Sequence, residues 1–300
     1  MTESILKLNN LTKTYIIGNR KNALKAQKAI QKLHKKYEHD CEKGKNSCIK
    51  EDEKLLKKAQ SLFAIENYEE SYQTITGKVL KKRPKDRGTV VHALNGIDLI
   101  INKGELVAIV GPSGSGKSTL LNMLGLLDEP TAGQILIQGR NITAIKAREL
   151  PNIRSKELGF VFQSFNLVTT LTALENVMIP LRYAGIGLLK RREMAKIALE
   201  QVGLGDRLNH SPNELSGGQQ QRVAIARSIV NSPSIIFGDE LTGELDSKMT
   251  TEVMGLISQL NKKGQTFIIV THNPEVAKKC KRIIYMKDGR IEKEINKYKA

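Results

Sequence analysis

The sequence predicts an α/β protein built on a parallel sheet and interrupted by a long helical insertion. Three observations carry that prediction. A compact apolar run, Glu105-Leu-Val-Ala-Ile-Val110, leads straight into a glycine-rich loop and an apolar helix. Two further apolar runs, Ser234-Ile-Ile-Phe-Gly238 and Gln265-Thr-Phe-Ile-Ile-Val270, flank a helical stretch at Thr250–Leu260, and strand–helix–strand order means parallel pairing. Residues 18–88 switch from strand to helix periodicity before strand character returns.

The elements follow in order. Ile5 to Tyr15 alternates apolar and polar residues, the pattern of a half-buried strand. From Asn22 to about Gly77 the spacing turns helical: Ala26, Ile30, Leu33 and Tyr37, then Leu55, Ala59, Leu62 and Phe63, then Tyr68, Tyr72, Ile75 and Val79. Gly44-Lys-Asn-Ser47 punctuates the first two stretches, and Lys81–Gly88 reads as a polar loop. Val90–Gly104 reads as two short strands and a turn. Leu171–Val230 is helical in pattern, with breaks at Gly185, Gly187 and Pro212.

Composition narrows the class of partner. The chain has 300 residues, a formal charge of +17 and no Trp. No apolar run reaches the roughly 18 residues that span a bilayer, and MTESILKLNN lacks the basic and apolar regions of a secretory signal. Cys41, Cys48 and Cys280 form no disulfide framework, which fits a reduced, cytosolic compartment. Residues 18–88 hold 19 Lys/Arg against 10 Asp/Glu, so +9 of the charge sits there. That stretch reads as a solvated helical face, or as a contact to anionic lipid or an acidic partner. Nucleic acid is disfavoured, because no aromatic-interleaved basic platform is present. His34, His39, Cys41 and Cys48 match no standard zinc spacing and read as surface residues.

Three motifs carry chemistry. Gly111-Pro-Ser-Gly-Ser-Gly-Lys-Ser-Thr119 fits G-x-x-x-x-G-K-[ST] with a strand before it and a helix after it. Backbone N–H groups of Gly111, Ser113, Gly114, Ser115 and Gly116 would curl round a β-phosphate at the helix's positive end. Lys117 would reach the β- and γ-phosphates, Ser118 would bind Mg²⁺ and Thr119 would face the α-phosphate. Ser234–Glu240 is a buried strand ending in two carboxylates: Asp239 for Mg²⁺, and Glu240 to polarise an attacking water. Leu215-Ser-Gly-Gly-Gln-Gln-Gln-Arg222 opens another helix, with Ser216 as its cap and bare N–H groups at Gly217 and Gly218. That is a second phosphate site.

At this last string the sequence resembles the nucleotide-binding subunits of ABC transporters. The resemblance covers most of the chain outside residues 18–88. It implies a P-loop NTPase with a RecA-like parallel-sheet core, an antiparallel β subdomain, a helical subdomain at 165–230 carrying the signature, and the basic segment 18–88 inserted into one ATP-binding domain spanning 1–300. It implies that the signature residues Ser216, Gly217, Gly218 and Gln219 of one subunit close over ATP held by another. It further implies that Tyr15 stacks on adenine, Gln163 senses Mg²⁺ and couples to the transporter, His272 contacts the γ-phosphate, and Leu245-Asp246 lies at a dimer interface. Val91–Asp98 and Asn213–Arg227 are similar to the branch that serves lipoprotein release, macrolide export and cell division. The implied function is ATP hydrolysis with Mg²⁺ by a homodimer that drives a separately encoded membrane permease from the inner face of the cell membrane. A non-transport or regulatory ABC ATPase with slow turnover is the alternative.

The chain departs from that pattern near the second carboxylate. Leu241 stands where proline is usual, Gly238 precedes Asp239, and Glu244 replaces a neutral residue. Losing proline frees the backbone after Glu240, so a looser hold on that residue is expected. The inserted segment has no counterpart in the family core. A projecting helical hairpin that serves as a docking arm is expected there, such that deleting residues 21–85 spares ATPase activity.

Overall fold

The computed structural model describes residues 3–18, 21–42, 46–64, 68–76 and 88–299. A long strand, β1 (Ser4–Gly18), opens the chain. Its partner β2 (Gly88–Asn102) returns only after three helices: α1 (Lys21–Glu42), α2 (Asn46–Ala64) and α3 (Tyr68–Thr76). Next come β3 (Leu106–Val110), α4 (Lys117–Leu124), β4 (Ala132–Ile137), β5 (Arg140–Asn141), α5 (Leu150–Glu157) and β6 (Leu158–Phe162). The helices α6 (Ala173–Tyr183), α7 (Leu188–Gln201) and α8 (Gly217–Ile229) follow. The chain ends with β7 (Ile235–Asp239), α9 (Ser247–Lys262), β8 (Thr266–Val270), α10 (Pro274–Lys279), β9 (Arg282–Lys287) and β10 (Arg290–Asn296).

Two sheets result. One is antiparallel, ordered β2-β1-β4-β5. The other is ordered β10-β9-β3-β8-β7-β6 and is parallel except for β10, which pairs antiparallel with β9. The expected α/β class with a parallel core and an antiparallel β subdomain is what the chain adopts.

The parallel strands read as unbroken apolar runs because both faces are covered. Alternate residues go to opposite cores, as the two-residue period of a strand requires. Val107, Ile109, Phe237, Ile268 and Val270 pack with Leu120, Met123 and Leu124 of α4 and with the antiparallel sheet. Leu106, Ala108, Ile236, Phe267 and Ile269 pack with Val253, Met254 and Ile257 of α9 and with helices α6–α8. Val90–Gly104, expected as two short strands and a turn, is one strand through Asn102 followed by a turn, and its pairing with β1 absorbs several register shifts and continues past them.

The insertion corrects its expectation. It forms three helices, and α1 is seated on the antiparallel sheet instead of projecting from it. Ala26, Ile30 and Leu33 of α1 bury against Leu56 and Ala59 of α2, with Tyr72, Ile75, Ile16 and Val90 around them. His34, expected at the surface, is buried, and its Nε2 accepts the Gly133 N–H at 3.2 Å. Burial pushes its pKa down to about 4. The side chains of His39, Cys41 and Cys48, and most of the Lys81–Gly88 loop, lie outside the described residues.

Candidate active site

The phosphate loop runs from the end of β3 to the start of α4. Gly116 caps α4 with φ at 97°, and no side chain closes the cap, which leaves the first-turn N–H groups available to an anion. A Cβ at Gly116 would also stand 2.5 Å from the Ala93 carbonyl oxygen, so only glycine fits. Lys117 folds back over the loop, donating to the carbonyls of Gly111 at 2.8 Å and Pro112 at 2.9 Å. The Ser115 hydroxyl is buried without a hydrogen-bond partner. An orphaned hydroxyl and a lysine held only by carbonyls suit a loop built for phosphate oxygens.

The loop opens into a cleft of about 900 Å³. Gly111, Ser113, Gly114, Gly116, Lys117, Ser118 and Thr119 line it from one side. Tyr15, Asp239, Glu240 and His272 line it from others. Residues from Gly111 to His272 thus converge because β3, β8 and β7 are neighbouring strands whose carboxyl ends meet at one edge, and Tyr15 joins them from β1 of the antiparallel sheet. His92, Asn95 and Asp288 also line the cleft. His92 and Asn95 lie within the Val91–Asp98 string, but its pattern does not single them out as site residues, because they reach the cleft on β2, and Asp288 reaches it on the turn between β9 and β10.

Burial raises the pKa of Asp239, the Glu240 charge raises it further, and Lys117 opposes both. Two carboxylates crowded at a half-buried strand end call for a cation. Ser118 and Asp239, both at the cleft, offer oxygen donors only, a donor set that fits Mg²⁺. Glu240 sits at φ 48°. Its Oε1 hydrogen-bonds His272 Nδ1 at 2.7 Å, and the His272 N–H lies 3.4 Å from Oε2. The loop after it is held firmly, contrary to expectation. Leu241 is buried over Gly238, and its carbonyl accepts from the fully buried Gln221 amide of α8. Burial and a hydrogen bond replace what the proline ring would have fixed.

Tyr15 is anchored through its hydroxyl, which donates to Asp128 at 3.1 Å. Lys13 is buried beside it, 2.7 Å from Asp128 and 4.9 Å from the Tyr15 ring centroid. Burial raises the Tyr15 pKa, and the bond to Asp128 adds to the effect.

The structure does not bring every expected residue into this cleft. Gln163 follows β6, is exposed and rests against Gly243. Ser216 caps α8, with its hydroxyl accepting from Gln219 N at 3.4 Å while Gln219 Oε1 accepts from Ser216 N at 2.9 Å. Gly217 faces Leu245, and Gly218 faces Met249. None of Gln163 and Ser216 to Gln219 is among the lining residues of the phosphate-loop cleft.

A phosphate loop at the edge of a parallel sheet, with paired carboxylates and a second helix N-terminus set apart from it, defines a nucleoside-triphosphatase of the ATP-binding-cassette class. Residues 94–243 match the family model for the ABC transporter domain. The chain belongs to this family, and it is an ATPase cassette. It is 52% identical over 208 residues to an uncharacterised ABC transporter ATP-binding protein of Thermotoga maritima, covering 69% of this chain and 89% of that one. It is 52% identical over 201 residues to the macrolide export ATP-binding/permease protein MacB of Marinobacter nauticus, 67% of this chain but 31% of that protein. A dimeric structure of a post-hydrolysis state of the cassette MJ0796 bound to ADP and Pi superposes with a TM-score of 0.67 at 36% identity, covering 97% of this chain and 98% of that one. The likeness to the macrolide-export branch expected from the sequence is consistent with these relatives.

Proposed function

We propose that the chain hydrolyses ATP as one half of a homodimer and drives a separately encoded membrane permease. The observation that carries the dimer is the separation just described: Ser216 to Gln219 present a capped helix N-terminus away from the cleft of their own phosphate loop. A second copy would bring its signature helix over the first copy's γ-phosphate, and the dimeric MJ0796 structure supports that reading.

In this reading Lys117 releases the two loop carbonyls and counters charge on the β- and γ-phosphates. Ser118 and Asp239 would hold Mg²⁺, with Gln163 reaching toward it, and the ion would supply positive charge against the phosphates. Glu240 takes a proton from the attacking water. His272 hydrogen-bonds the Glu240 carboxylate, and with ATP bound it would also contact the γ-phosphate. Leu245-Asp246 would lie along the dimer contact.

A separate apolar cleft supports the permease. Phe160, Phe162, Ile179 and Tyr183 line it, and Tyr183 is 82% exposed. An exposed aromatic at the rim of a large apolar cleft marks an interaction site. No described helix is long and apolar enough to cross a membrane; in this reading the permease holds the chain at the inner face of the cell membrane. The test is co-purification: the Glu240→Gln variant should dimerise with ATP and co-elute with a multi-span membrane permease from solubilised membranes. A variant that stays monomeric at saturating ATP would remove the dimer reading.

A further inference from the structure

The inserted helix α1 reads the segment that holds Tyr15. Residues 27, 31, 34 and 35 of α1 share one helix face, and each meets a different part of residues 129–133. Lys35 pairs with Glu129 at 2.8 Å. The Gln31 amide lies 3.5 Å from the Pro130 carbonyl. Gln27 Nε2 is 3.3 Å from the Thr131 hydroxyl, and His34 accepts from Gly133. Asp128, which anchors the Tyr15 hydroxyl, immediately precedes this segment.

Gln27 also reaches the strand itself. Its amide donates to the Thr14 carbonyl at 2.5 Å, the peptide next to Tyr15. The Thr131 hydroxyl accepts from Thr14 N at 3.0 Å, so Gln27, Thr131 and Thr14 close one buried polar ring. Gln27, Thr131 and Thr14 are each less than a tenth exposed. A closed ring of buried hydrogen bonds holds its members in one geometry.

We propose that α1 is a positioning element for nucleotide recognition: through Gln27 and Thr131 it sets the backbone at Thr14 and hence the seat of Tyr15 against the base. The inference rests on the reading that Tyr15 contacts the base. It gives the insertion a role toward the ligand and not only toward a partner. By linkage, anything that pulls on α1 changes nucleotide affinity.

The experiment compares ATP with inorganic tripolyphosphate, which has the phosphates and no base, by calorimetric titration of the full-length protein with Mg²⁺. Gln27→Leu keeps side-chain volume and removes the donor. It should raise the Kd for ATP about fivefold, the effect of one lost hydrogen bond, and leave the Kd for tripolyphosphate at the wild-type value. Added to Tyr15→Ala it should have no further effect, because both act through one group. Thr131→Val, which opens the same ring from the other side, should behave alike and stands in if Gln27→Leu does not fold. Equal weakening toward tripolyphosphate, an additive double variant, or an unchanged ATP Kd would each overturn the positioning role. If Tyr15→Ala itself leaves ATP affinity unchanged, the base-contact reading is what failed, and the positioning role falls with it.

Discussion

Leu241 Cδ2 occupies the volume that a Cβ on Gly238 would need. The two departures from the family pattern on either side of the carboxylate pair are therefore complementary. A glycine before Asp239 makes room for a leucine after Glu240, and the leucine is buried.

That complementarity is measurable. Gly238→Ala should overpack the site and cost about 1–3 kcal/mol. Leu241→Ala should cost about 2–5 kcal/mol through the cavity it leaves. The double variant should lose clearly less than the sum, because truncating Leu241 removes the clash. Urea unfolding of the four proteins gives the coupling, and strict additivity would show that the two residues do not share that volume.

Glu240 and His272 predict a kinetic pattern. Glu240→Gln should cut ATP hydrolysis by about 10²–10⁴ while keeping ATP binding. His272→Ala should reduce kcat and leave ATP affinity in the monomer nearly unchanged. Single-turnover assays with size-exclusion analysis check both. Wild-type hydrolysis by Glu240→Gln would remove Glu240 as the base.

Gln221 ties the signature helix to the loop after Glu240 through the Leu241 carbonyl. Gln221→Leu leaves that carbonyl buried without its donor, a loss of about 1–3 kcal/mol. In the proposed dimer α8 serves the partner's site and Glu240 its own, so cooperativity in ATP should fall along with kcat. A Hill coefficient equal to that of the wild type would argue against coupling through this bond.

His34 predicts acid sensitivity. Its folded pKa of about 4 lies below the unfolded value of 6.5, so its contribution is present above pH 6.5 and is lost as pH falls through 4. Between those limits the unfolded state binds more protons, and stability rises with pH. The shift corresponds to about 3 kcal/mol at most. His34→Leu should flatten the slope of unfolding free energy between pH 6.5 and 4.5. Glu129 and Lys35, which pair beside the same segment, are present in both proteins.

Local patterns identified much of this protein from sequence. The phosphate loop, the signature helix, the Asp239–Glu240 strand end and the strands 235–239 and 266–270 are short contiguous strings whose chemistry needs fixed spacing. Contacts between distant strings were not legible. The anchoring of Tyr15 by Asp128 joins positions 113 residues apart, and neither residue is unusual in its own neighbourhood. β10 is mostly exposed and short of apolar residues, so only its pairing with β9 makes it a strand.

Contiguous residues alone specify the family, the parallel core and the phosphate loop, because period and motif spacing are local properties. The tertiary structure decided the fate of the insertion and of the altered loop. A helical pattern shows which residues of α1 are apolar, but not that Gln27, Gln31, His34 and Lys35 would find polar partners on a loop about a hundred residues away. Substituting leucine for proline reads as a loosened loop until packing shows what the leucine fills. Both outcomes depend on which surfaces meet, and that is set by the whole chain's burial of apolar area and satisfaction of buried polar groups.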